Sequence, residues 1–170
     1  MEISTADVKT LRGKTGAGIM DCKKALIEAQ GDFEKAEEII KAKGLETVNK
    51  KASRAVSEGL IDTYVHNRRI GAMVEVNCET DFVAKTDQFK ELAHNIAMQV
   101  AAMCPDYVSE SDVPDGVEVD VKQACLLSQS FIRDESMTIK DLVNDVIAKV
   151  GENIQVKRFS RYELGCWDED

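Results

Sequence analysis

Aromatic residues, histidine, proline and basic charge are all scarce in this sequence, and each shortage removes a class of explanation. Aromatics make up 5% of the 170 residues, so the core has to be built from aliphatic side chains. Only two histidines occur, His66 and His94, which leaves little material for a zinc cluster or a cysteine–histidine catalytic pair. The five cysteines (Cys22, Cys78, Cys104, Cys125, Cys166) are odd in number and far apart, with no C-x-x-C spacing. That usage fits a cytosolic protein with reduced thiols. No apolar run approaches the roughly 18–20 residues of a membrane span. The opening MEISTADVKT has no basic-then-apolar signal pattern. With 22 Lys/Arg against 31 Asp/Glu the net charge is −9, which argues against nucleic acid as a direct partner.

The charge is unevenly distributed. Residues 1–52 hold 10 basic and 9 acidic side chains, whereas residues 53–170 hold 12 and 22. Two units are therefore expected, 1–52 and 53–170. In the first, Ser4 or Thr5 can cap a helix carrying Val8 and Leu11, which KTGAG interrupts. A second helix runs from about Ile19 to Gln30, with Ile19, Cys22 and Leu26 on its apolar stripe. Asp32 caps a third, lined by Phe33, Ala36 and Ile40, which Gly44 is expected to end. Three short helices bury a small core and suit a binding module.

Beyond a polar, basic linker, GLIDTYVHN and RRIGAMVEVNC read as two strands joined at Asn67-Arg68. In the second, Ile70, Ala72, Val74, Val76 and Cys78 alternate onto one face. From Thr86 or Asp87 the chain follows helical spacing through Phe89, Leu92, Ala93, Ile96, Ala97, Val100 and Met103, as far as Cys104-Pro105. Residues 106–120, with six acids and no base, read as a loop, and VKQACLLSQSFI fits helix or strand equally. TIKDLVNDVIAKVG is an amphipathic helix ended by Gly151. NIQVKRFSRYEL is a last strand, with Ile154, Val156 and Arg158 expected on one face and Lys157, Phe159 and Arg161 on the other. Helices beside a small antiparallel sheet make the fold class α+β.

Catalytic readings are weak. Cys22 beside Lys23 and Lys24 could be an activated thiolate, but its place on an apolar stripe favours a packing role. TGAG before a helix has neither the preceding strand nor the spacing of a phosphate-binding loop. Glu79 and Asp81, two apart at a strand end, suit capping better than acid–base chemistry or Mg²⁺. Phe82 poses a sharper question, because VNCETDFVAKTDQF puts it in a turn between strand and helix. It either folds back under the helix as core, or is held on a rigid turn beside Asp81 as an anchor for a partner's pocket.

Two long strings carry a resemblance. VKTLRGKTGAGIMDCKKALIEAQGDFEKA and EVNCETDFVAKTDQFKELAHNIAMQVAA, with IAKVGENIQVKRFSRYELG, resemble the bacterial elongation factor Ts family over about residues 2–105 and 124–165. The resemblance implies a three-helix module similar to ubiquitin-associated domains, docking on the GTPase domain of elongation factor Tu through a surface that includes Thr15, Gly16, Met20, Asp21 and Lys23. It assigns Thr80, Asp81, Phe82 and Val83 to the turn that disturbs the partner's Mg²⁺ and nucleotide site, with Phe82 as the inserted anchor. Guanine-nucleotide exchange in the cytoplasm, with no cofactor or metal of its own, no bond-making chemistry and no membrane or nucleic-acid contact, is the function implied. Compact members of the family are expected to pair as homodimers through their sheets, and the face carrying Met73, Lys157, Phe159 and Arg161 is the candidate surface. The region between Pro114 and Cys125 is shorter than in many members, Ser130 replaces a frequent proline, and Gln99 a frequent histidine. The rival reading is an adaptor whose three-helix module binds a peptide while the acidic core oligomerises.

Overall fold

The computed structural model describes residues 3–166. Helix α1 (Thr5–Thr15) starts at Ser4, whose hydroxyl and backbone form a reciprocal capping box with Asp7. It ends at Gly16, whose φ of +68° is the left-handed conformation that glycine adopts without strain. Helix α2 (Ile19–Glu28) follows, and Asp32 caps α3 (Phe33–Lys51). Val8, Leu11, Cys22, Ala25, Leu26, Ala29 and Ala36 form the small core of these three helices.

Two expectations fail here. Ile19 is exposed rather than on the buried stripe, because Cys22, Ala25, Leu26 and Ala29 alone complete the i, i+3, i+4, i+7 face of α2. Gly44 does not end α3, which continues for seven more residues. A Cβ built on Gly44 would lie 3.3 Å from the Cβ of Ala148, so glycine here permits close helix packing. The conformational penalty of about 1 kcal/mol for glycine within a helix is offset by that contact.

The rest of the chain is built on a three-stranded antiparallel sheet in the order β1 (Glu58–His66), β2 (Ile70–Cys78), β5 (Ile154–Glu163). The β1–β2 turn places Asn67 and Arg68 at positive φ. Gly59 carries φ +148°, and a Cβ there would sit 2.2 Å from the carbonyl oxygen of Val76. Gly59→Ala is therefore expected to destabilise the protein by about 1–3 kcal/mol from backbone strain alone. An unchanged urea midpoint would contradict this close approach.

One face of the sheet is covered by α5 (Asp87–Met103) and bordered by α7 (Ile139–Val150), with Phe89, Leu92, Ile96, Val100, Leu126, Ile139 and Ile147 in the shared core. The fold is thus α+β. Between α5 and α7 lie a loop with a 3-10 turn at Glu110–Asp112, the short α6 (Val121–Ala124), and a hairpin of β3 (Ser130–Phe131) and β4 (Asp134–Thr138). Gln99, fully buried, donates to the Ser130 carbonyl at 3.0 Å and to Gln129 at 3.1 Å, and accepts from Ile132 N–H at 3.0 Å. The Gln99 side chain and the Ser130 backbone thus meet in one contact.

A bulge overturns the expected faces of β5. Glu75 pairs with Arg158 but Val76 with Val156, which leaves Lys157 as the extra residue. Everything beyond it changes face. Phe159 lies opposite Val74 and packs against the core, and Arg161 donates from Nε to the Ala101 carbonyl at 3.1 Å. Met73, Lys157, Phe159 and Arg161 therefore do not share a surface. The open face is instead formed by Ile61, Thr63 and Val65 on β1, Met73 and Glu75 on β2, and Arg158, Ser160 and Tyr162 on β5.

Candidate functional site

Strand β2 ends at Cys78, whose buried thiol donates to the Thr80 carbonyl at 3.2 Å. Burial and the neighbouring Glu152 charge push this thiol's pKa up, the opposite of what a nucleophilic cysteine needs. Thr80 then caps α4 (Asp81–Ala84), a single helical turn. At 100° per residue, such a turn can bury only part of its circumference. Val83 and Ala84 take the inner side, and Phe82 is left 79% exposed, the most open large hydrophobic side chain described. Of the two placements open to Phe82, the structure has the displayed one.

The turn is stiffly supported. Lys85 Nζ donates to Asp81 at 2.6 Å, one helical turn away, and this pairing lowers the Asp81 carboxyl pKa and raises that of Lys85. The Thr86 hydroxyl donates to the Val83 carbonyl at 2.7 Å and also caps α5, so the turn passes directly into the longest helix of the sheet unit. Glu79 accepts the backbone N–H of Asn153 at 2.7 Å and faces Arg54 at 3.3 Å. The N–H first and Arg54 second hold its carboxyl below the ordinary value of 4.5. Its support of the fold is therefore complete above pH 4.5 and is lost as the pH falls through the depressed value.

Of the residues implied for docking, Gly16, Met20, Asp21 and Lys23 are exposed around the α1–α2 turn and the first turns of α2. Thr15 is half-buried, its hydroxyl donating to the Leu11 carbonyl at 2.9 Å and accepting Ala17 N–H at 3.3 Å. Helical spacing singled out neither Ile19 nor Ile27 as exposed, yet with Met20 they line the outer side of α2, at 56%, 57% and 61% exposure. The signal was present, since Ile27 falls outside the stripe that Cys22 and Leu26 define. Among the described residues no cluster of three His, Cys, Asp or Glu side chains is placed to hold a metal ion, and no helix is long and apolar enough to cross a membrane.

The arrangement defines a class: an α+β protein whose three-helix module and sheet unit each present apolar side chains outward from firmly held elements. The chain belongs to the elongation factor Ts family. The model of that family, described as elongation factor TS, matches residues 19–119. The chain is 51% identical to elongation factor Ts of Thermotoga maritima over 199 aligned positions covering all of both chains. It is 51% identical to that of Thermotoga neapolitana, covering 97% of this chain and 98% of the relative, and 50% identical to that of Moorella thermoacetica, covering 96% of each. The 199 positions exceed the 170 residues here, so the Thermotoga maritima protein carries residues without a counterpart in this chain.

Proposed function

We propose that this protein is a guanine-nucleotide exchange factor for elongation factor Tu. Residues 1–52 form the unit that docks on the GTPase domain through Thr15, Gly16, Met20, Asp21 and Lys23. Residues 53–170 carry the turn Thr80, Asp81, Phe82 and Val83, which enters the partner and disturbs its Mg²⁺ and phosphate site. The observation that carries this reading is Phe82, a large apolar ring 79% exposed on a turn fixed at both ends.

The physics is linkage. A GTPase holds GDP through phosphate contacts and Mg²⁺, and a protein that binds better when those contacts are distorted weakens GDP by a coupling factor. GDP must weaken the exchange factor by the same factor. No bond is made or broken, and new nucleotide expels the factor. Pull-down of elongation factor Tu in its two states tests this directly. The exchange reading predicts much stronger capture of the nucleotide-free than of the GDP-loaded form, and equal capture would favour a simple adaptor.

The protein works in the cytoplasm as a homodimer joined through the open sheet face. Ile61 and Val65 are more than 60% exposed there, with Met73 and Tyr162 beside them, a patch that an isolated subunit would leave in water. Two such faces stacked as a sandwich would cover it. Sedimentation is expected to give a dimer, and Ile61→Asp a monomer that remains folded. A wild-type monomer would contradict the pairing.

A further inference from the structure

The turn that displays Phe82 is gripped from 72 residues further along the chain. Glu152 lies in the connection between α7 and β5. Its Oε2 accepts the Thr80 backbone N–H at 3.0 Å and its Oε1 accepts the Thr80 hydroxyl proton at 2.7 Å. Thr80 is the residue that caps α4. With its proton committed to Glu152, the Thr80 hydroxyl turns a lone pair toward Val83 N–H, 3.5 Å away. The carboxylate thus fixes both the start of the turn and the rotamer of its capping side chain, using two charge-assisted hydrogen bonds.

The grip is reciprocal. Glu79, just before Thr80, accepts the N–H of Asn153, just after Glu152. The two segments therefore exchange carboxylates where the β2–β5 ladder ends at the Cys78–Ile154 pair. The connection is itself immobilised. Gly151 caps α7 in the left-handed conformation, its carbonyl accepts from Lys51 Nζ, and buried Asn153 donates to the carbonyls of Ala52 at 3.3 Å and Arg54 at 2.8 Å. Glu152 is consequently a carboxylate on a fixed base, aimed at the residue that sets the direction of α4.

We propose that Glu152 is a positioning residue for Phe82: it acts in nucleotide exchange by holding the Thr80 cap, without touching the GTPase. This rests on the exchange function proposed above. A four-residue helix has no stability of its own. Without Glu152 the two Thr80 donors turn to water, α4 frays at its first turn, and the ring loses its fixed aim. The three-helix module still docks. The loss therefore falls on the saturating rate of GDP release rather than on the concentration of factor that half-saturates it.

The test is stopped-flow release of mant-GDP from elongation factor Tu across a range of factor concentrations, with the wild type, Phe82→Ala, Glu152→Ala and the double variant. Glu152→Ala is expected to lower the saturating rate about tenfold and to move the half-saturating concentration less than about threefold. The double variant is expected to be no slower than Phe82→Ala alone, because both changes remove one interaction. Glu152→Gln, which keeps one acceptor oxygen, recovers part of the rate, and it replaces alanine in the cycle should Glu152→Ala lose cooperative unfolding. A wild-type saturating rate for Glu152→Ala overturns the proposal, as does a slowing that multiplies with that of Phe82→Ala, or an effect confined to half-saturation. Slow Phe82→Ala with fast Glu152→Ala sinks this proposal alone. A wild-type rate for Phe82→Ala itself sinks the wedge reading, and this proposal with it.

Discussion

Phe82→Ala is expected to slow stimulated GDP release from elongation factor Tu at least about tenfold, the effect of removing one interfacial anchor worth about 1.4 kcal/mol or more, and to leave the fold intact. The ring is 79% exposed in the isolated protein, so truncation surrenders little buried area and the unfolding midpoint should hardly move. All of the loss should appear in the complex, where the ring would be enclosed. Release of mant-GDP in a stopped-flow instrument measures it, with thermal unfolding as the control. Unchanged release would mean that the turn meets the partner without inserting into it.

Phe89→Ala, seven residues on, should behave in the opposite way. Phe89 has no exposed surface, donates its backbone N–H to the capping Thr86 hydroxyl, and fills the space between α5 and the sheet. Its truncation leaves a cavity and is expected to destabilise the protein by about 3–5 kcal/mol. At roughly 2–4 °C per kcal/mol for a chain of this size, the melting temperature should fall by about 6–20 °C. At temperatures where the variant remains folded, exchange should be close to normal. A small change in melting temperature would show that the α5 face relaxes around the void. The two phenylalanines thus separate function from stability within one short stretch.

What made the sequence readable was length of pattern. Helix α5 repeats its apolar spacing through about four turns, and β2 alternates over nine residues, so both elements are legible with their buried faces, except that Met103, expected on the α5 stripe, is exposed at the helix end. The failures share a physical origin in pairwise geometry. Gly44 reads as a helix stop until Ala148 is known to lie 3.3 Å from where its Cβ would be. The β5 bulge is invisible in NIQVKRFSRYEL, because an extra residue becomes apparent only against the partner strand. The β3–β4 hairpin is too short to show a period. At the site, one turn of helix cannot reveal its inward side, so the orientation of Phe82 waited on Val83 and Ala84 being seen buried. Glu152 carries no local signal at all, since its partner Thr80 is distant in sequence.

In the proposed mechanism the Phe82 ring leaves water when the GTPase binds and returns to water when nucleotide comes back. Incorporating 4-fluorophenylalanine at position 82 and following its ¹⁹F resonance observes that ring directly. The expected result is a shift of the exposed signal on adding nucleotide-free elongation factor Tu, and its recovery when excess GDP dissolves the complex. A resonance that stays at its solvent position while the complex demonstrably forms would contradict the wedge.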